Sequence, residues 1–139
     1  MLGSISPIGF VLAIIASMAI GAVWYTVLSG PWIKANGFDE SEIAKAQSGG
    51  GARIYATAAL SHAIMALVLT ALLYHMQAYS LAGGLTVALL CWLGFVITTM
   101  SVNHRFQMKP WSLTIIDAGH FLMVLLAQGA LLGAFGGTA

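Results

Sequence analysis

Hydrophobic residues fall in four long stretches, with polar residues gathered between them. The stretches cover about residues 8–28, 55–76, 81–102 and 111–135. Each reaches the ~20 residues that cross a bilayer as a helix. In hydrocarbon a backbone must satisfy its own hydrogen bonds, which dictates helices. The pattern therefore predicts an all-α fold: an integral membrane bundle of four transmembrane helices, joined by loops at 29–54 and 103–110. Gly30-Pro31 ends the first stretch, because proline cannot continue the hydrogen-bond ladder. The long loop carries Asp39 followed by Glu42, a capping-box spacing. It predicts a short interfacial helix over 40–47, stopped by Ser48 and the Gly49-Gly50-Gly51 run. Beside it, Trp32, Ile33 and Phe38 are expected to dip into the headgroup region.

Composition removes most other classes. Of 139 residues 60% are hydrophobic and 6% are charged, against about 25% charged in a soluble domain. Nine charges cannot cover the surface of a water-soluble domain of this length, so residues 1–139 read as a single transmembrane domain. The net charge of +1 offers no basic patch for nucleic acid. The single cysteine, Cys91, excludes an intramolecular disulfide and a cysteine-based zinc site, and reads as a packing residue. No Lys or Arg precedes Lys34, so the first stretch lacks the basic flank of a signal peptide and reads as a retained helix.

Charge also orients the bundle. Lys34, Lys45 and Arg53 lie in the first loop, Arg105 and Lys109 in the second. The opposite side, with both termini and the turn near residues 78–81, has no Lys or Arg. The positive-inside rule then places both loops in the cytoplasm and both termini outside a multi-pass inner membrane. Trp32, Trp111 and Tyr55 fall at the depth of interfacial anchors.

The segments "GAVWYTVLSGPWIKANGF" (21–38), "CWLGFVITTMSVNHRF" (91–106) and "PWSLTIIDAGHFL" (110–122) carry a resemblance over nearly the whole chain. In them the sequence resembles the bacterial membrane-protein family known as domain of unknown function 1761. The aspartate of its "DAGH" string is the most telling feature. The resemblance implies a small four-helix integral membrane protein and brings no activity with it.

Eight of the nine charges lie in the two loops; the ninth, Asp117, is inside the fourth stretch. It sits six residues past Trp111, about 9 Å into the membrane at 1.5 Å per residue. A charge at a helix centre costs ~2.5–3.5 kcal/mol on insertion scales, so Asp117 needs partners. His120 follows at i+3, on the same face. His62, Thr98, Thr99 and Tyr25 fall at similar depth on the other spans. A cluster of Tyr25, His62, Thr98 or Thr99, Asp117 and His120 has four readings: a structural hydrogen bond between helices, an ion or proton site, a divalent metal held by His62, Asp117 and His120, or a haem ligated by His62 and His120. No cofactor is favoured. Beyond this depth only Gln128 and, at the rim, His75 offer polar groups to a relay. His104, beside Arg105, reads as an interfacial solvated group.

Small residues recur at four-residue spacing: Ala13, Ser17 and Gly21 in the first span, Ala59 and Ala63 with Leu67 in the second, Gly129 and Gly133 in the fourth. Such stripes let helix backbones approach closely. No catalytic motif is present, so no enzyme is expected. The sequence favours a non-enzymatic helix-packing or accessory subunit. Its expected surroundings are the lipid bilayer and a homo-oligomer or larger membrane complex. The alternative is a small ion, proton or metal carrier or channel using the Asp/His cluster.

Overall fold

The structure is a computed structural model, and it describes residues 6–49 and 51–136. Every element among them is helical. Helix α1 (Pro7–Val27) opens on Ser6, whose hydroxyl accepts from the Gly9 amide, and on Pro7, which needs no amide partner in a first turn. After Leu28 the chain turns into α2 (Ser29–Asn36) rather than into a loop. Pro31 does end α1, but it then sits in the first turn of α2, where its missing N–H is harmless. Gly37, at φ +72°, closes α2 in the left-handed conformation that favours glycine. The Phe38 amide bonds back to the Ile33 carbonyl across it.

Helix α3 (Glu40–Gly49) carries the capping box in full. The Asp39 carboxylate accepts from the Glu42 amide and the Glu42 carboxylate accepts from the Asp39 amide, both at 2.9 Å. The Ser41 hydroxyl, then the Glu42 amide, hold the Asp39 carboxyl below its ordinary value. Of the glycine run, Gly50 lies outside the described residues. The second span, α4 (Gly51–His75), starts four residues before the apolar pattern begins.

The third span runs over residues 81–106 in three pieces: α5 (Leu81–Cys91), a π-helical turn (Trp92–Val96) and α6 (Ile97–Phe106). The Ile97 amide reaches back five residues to the Trp92 carbonyl. Such a turn inserts one residue and rotates the face presented beyond it. No periodic pattern announces it. A tight connection through Met108, at φ +55°, leads into the fourth span, α7 (Trp111–Phe135). Four helices are therefore long and apolar enough to cross a membrane.

Helix α7 is the hub. Its most apolar stretch is 44% buried inside the chain, against 17–28% for the other three spans. Helices α1 and α5 pack along it on either side, while α4 closes the bundle against α1. At the end away from the basic loops α5 and α7 touch backbone to backbone. A Cβ on Gly84 would overlap the Gly129 carbonyl, and one on Gly133 would overlap the Ser80 carbonyl. Around this contact Ala13, Ala66, Leu69, Leu73, Val87 and Leu132 form a close-packed apolar core. Lipid tails are as apolar as these side chains, so the gain here is packing rather than transfer from water. On α4 the inward stripe is His62, Ala66, Leu69, Thr70 and Leu73, not Ala59, Ala63 and Leu67. Leu67 is 42% exposed, because the α4 face nearest α7 is set by His62 and Ala66.

Gly129→Ala should lose about 1–3 kcal/mol of stability through overpacking against the Gly84 backbone. Gly94→Ala, where an added methyl meets nothing within 4 Å, should change stability little. Reversible unfolding by SDS in mixed micelles checks the contrast. Equal stability of the two variants would refute the backbone contact.

Candidate functional site

The intramembrane polar residues form a column along one side of α7, starting at the basic-loop end. Thr114 and Asp117 lie there, His120 follows a turn later, and Gln128 ends it. Asp117 is hydrogen-bonded from two other helices and approached by a third. Its Oδ1 accepts from the Tyr25 hydroxyl of α1 at 2.9 Å and from the Trp32 indole of α2 at 3.0 Å. His104 of α6 stands with Nε2 at 3.9 Å from Oδ2.

Second contacts fix these partners. Thr114 Oγ1 lies 3.0 Å from His104 Nδ1 and accepts from Arg105 Nη2 at 3.0 Å. The Thr114 hydroxyl thus joins both α6 side chains to α7. The Arg105 guanidinium lies 4.0 Å over the Trp111 ring. The Lys109 ammonium donates to the Asn36 carbonyl at 2.6 Å, at the negative end of α2 that carries Trp32.

All four tryptophans serve this half of α7. Besides Trp32 and Trp111, the Trp24 indole donates to the Ile116 carbonyl at 3.0 Å and the Trp92 indole to the Ala118 carbonyl at 2.7 Å. These two carbonyls flank Asp117 in sequence. Gly119 leaves room for Trp24, whose ring an added Cβ would meet at 3.0 Å. Trp92 stands at the first position of the π turn.

The column continues differently beyond Asp117. His120 does not bond to Asp117, although the two are three residues apart. It turns towards α4, where its ring lies 6.2 Å from that of His62, with Tyr25 at 5.0 Å and Phe121 at 4.7 Å. Both histidines are 95% buried. His62 Nδ1 and both ring nitrogens of His120 have no partner among the described residues. Leaving a buried polar group unmet costs ~1–3 kcal/mol. Deeper still, the Gln128 amide donates to the Ser17 hydroxyl at 2.9 Å and to the His62 carbonyl at 3.1 Å, joining α7 to α1 and α4.

A cavity of about 440 Å³ opens between α1 and α4 in front of the two histidines. Its floor is His62, His120 and Tyr25, and its walls are Met18, Ala22 and Ala58. Gly21 sits beside the floor, where an added Cβ would stand 3.2 Å from His120 Nε2.

The residues singled out from sequence thus divide. Tyr25 meets Asp117 and also borders His120, and His62 and His120 face each other. Thr98 and Thr99 do not join them. Both are exposed on α6, beyond the π turn, and the Thr98 hydroxyl bonds back to the Gly94 carbonyl. Three-ligand metal binding by His62, Asp117 and His120 is not supported either. Asp117 is drawn to Tyr25, Trp32 and His104, and among the described residues no group of three His, Cys, Asp or Glu could hold a metal ion. Ala13, Ser17 and Gly21 line the inner face of α1, with Ala13 and Ser17 fully buried.

The partners of Asp117 that sequence reasoning missed are Trp32 and His104. Trp32 reads as an interfacial anchor, but α2 folds back and turns it inward. His104 is brought opposite Thr114 by the hairpin through 107–110. Counting four to five residues either side of that turn is the signal that would have found it.

Comparison with curated proteins yields no match, and comparison with solved structures yields none. One family model does match, a protein family of unknown function, DUF1761, over residues 8–133. That match covers most of the chain, so the chain belongs to the DUF1761 family.

Proposed function

We propose that this chain is a non-enzymatic membrane subunit that acts through its helix faces, with Asp117 as an internal clamp rather than a transport site. The observation that carries this reading is that the polar column is one-ended. It runs from Arg105 and Thr114 through Asp117 to Gln128 and Ser17. There it meets the packed core of Ala13, Ala66, Leu69 and Leu73. The buried hydroxyls at that level bond back into their own helices, Ser17 to the Ala13 carbonyl and Thr70 to the Ala66 carbonyl. A carrier or channel needs polar stepping stones through both halves of the bilayer, and among the described residues the buried hydroxyls Ser17 and Thr70 are committed to carbonyls of their own helices.

The subunit reading also draws on surface. Helix α1 and the third span are each only 17% buried over their most apolar stretch, so most of their area faces outward. The five basic residues on one side favour an orientation with the two loops in the cytoplasm and the termini across the membrane. A homo-oligomer or a larger complex supplies the partner surfaces.

Substitutions at Asp117 separate clamp from carrier. Asp117→Asn keeps an oxygen for Tyr25 and Trp32 and should lose no more than about 1 kcal/mol. Asp117→Leu strands both donors and should lose about 2–4 kcal/mol. In proteoliposomes under an imposed pH gradient, wild type and Asp117→Asn should show the same proton leak as empty vesicles. An Asp117-dependent flux would overturn the clamp reading.

Native mass spectrometry after mild extraction tests the subunit reading. The expected mass is a multiple of 14.5 kDa, or one that includes foreign subunits. A lone 14.5 kDa species would refute it.

A further inference from the structure

Among the described residues five buried side-chain polar atoms lack a partner, and three of them are His62 Nδ1 and the two ring nitrogens of His120. Their concentration at one place is the anomaly. Nearby on α7 polar groups are met at some length: Asp117 takes donors from two other helices, and the Trp24 and Trp92 indoles find carbonyls. The two imidazoles, both 95% buried, instead floor a cavity of about 440 Å³. That volume falls within the ~300–1,000 Å³ of small-molecule sites.

The surroundings define what fits. The cavity opens sideways between α1 and α4, and its mouth is flanked by Ile54 and Tyr55, 60% and 64% exposed. A molecule would therefore enter from the lipid, near the headgroup level of the basic-loop side. None of the lining residues carries a formal charge, so an ionic headgroup would be desolvated with no counter-charge. A metal would find two imidazoles and no third ligand among the described residues. A neutral imidazole offers one N–H donor and one nitrogen acceptor, which suits carbonyl or hydroxyl oxygens. Gly21 leaves the approach to His120 Nε2 open, since a Cβ there would already stand 3.2 Å away. The Tyr25 ring and the Met18, Ala22 and Ala58 walls suit a flat or apolar body behind the headgroup.

We propose that the α1–α4 cleft is a binding site for a neutral, lipid-soluble molecule whose carbonyl or hydroxyl headgroup hydrogen-bonds to His62 and His120. Membranes hold two sources of that chemistry, quinone-type rings and neutral glycerolipids. The site does not depend on the subunit reading, because it lies wholly within one chain.

The test uses the full chain in phosphatidylcholine nanodiscs, with a decyl-substituted benzoquinone as probe, read by quenching of tryptophan fluorescence. Wild type should show saturable binding at one site per chain. His62→Phe and His120→Phe, which keep a ring and remove its nitrogens, should each weaken it about tenfold. Ala58→Leu narrows the cleft without touching a hydrogen bond and should weaken it to a similar degree, about tenfold, which keeps the test valid where a histidine variant misfolds. Dioctanoylglycerol as competitor distinguishes the sources: displacement at matched concentration assigns the site to glycerolipids, and failure to displace assigns it to quinone-type rings. Non-saturable partitioning, or equal affinity in wild type and all three variants, would overturn the proposal. Tighter binding of decanoate, an anionic probe, would overturn the neutral headgroup.

Discussion

The structure is organised around a carboxyl group that has to be satisfied inside a membrane. Asp117 is too short to reach the headgroups from its depth, so donors have to come to it. The bundle supplies them from α1 and α2, with His104 of α6 close by. Each such contact is worth little alone, about 0.6 kcal/mol and rarely above ~1.7 in a bilayer. Their joint effect is geometric. Trp32 reaches Asp117 only because α2 folds back after Leu28, and α2 is anchored in turn by Lys109 on its last carbonyls. The connection before α7 holds both His104 and Lys109 in reach. One buried acceptor thereby ties the path of the first loop to that of the second.

The two ends of α7 are held by opposite devices. Near the basic loops, bulky indoles span the gaps between helices and donate to carbonyls on either side of Asp117. At the far end there is no gap: Gly84, Gly129 and Gly133 bring α5 and α7 into backbone contact. The helices therefore splay at one end and close at the other. Polar side chains and the cavity occupy the first half, and an apolar core fills the second. The one-ended column is a consequence of where the glycines and the tryptophans fall along the chain. The π turn at Trp92–Val96 lies between the two regimes.

Much of this was legible in the sequence, for identifiable reasons. Long apolar runs have few alternatives in a bilayer, so the four spans and the all-helical class follow from length and hydropathy. The capping box at Asp39 and Glu42 depends on a three-residue spacing, and local spacing reads directly. Asp117 stood out because a lone intramembrane charge is costly. Its partners did not stand out, because they depend on where chains turn. Pro31 reads equally as a helix end and as a first-turn residue, and only the second places Trp32 inward. The i+3 spacing suggested a pair between Asp117 and His120, yet tertiary donors outcompeted it. Thr98 and Thr99 were placed by depth alone. Depth says nothing of which way a face points once a π turn has rotated it.

The contrast between Asp117 and the histidine pair has a physical consequence. Two kinds of polar group lie within one turn of each other on α7, and the fold treats them unequally. The carboxyl, which costs most when bare, takes the nearby hydroxyl and indole donors. The imidazoles instead line the cleft between α1 and α4. Filling that cleft would need only a larger residue at Gly21 or Ala58. The small residues there keep open a space that the glycine-packed half of the bundle is stable enough to tolerate. A bundle whose closed end is locked backbone to backbone can hold its other end apart without losing its fold. The close backbone packing of the one half is what permits a polar recess in the other.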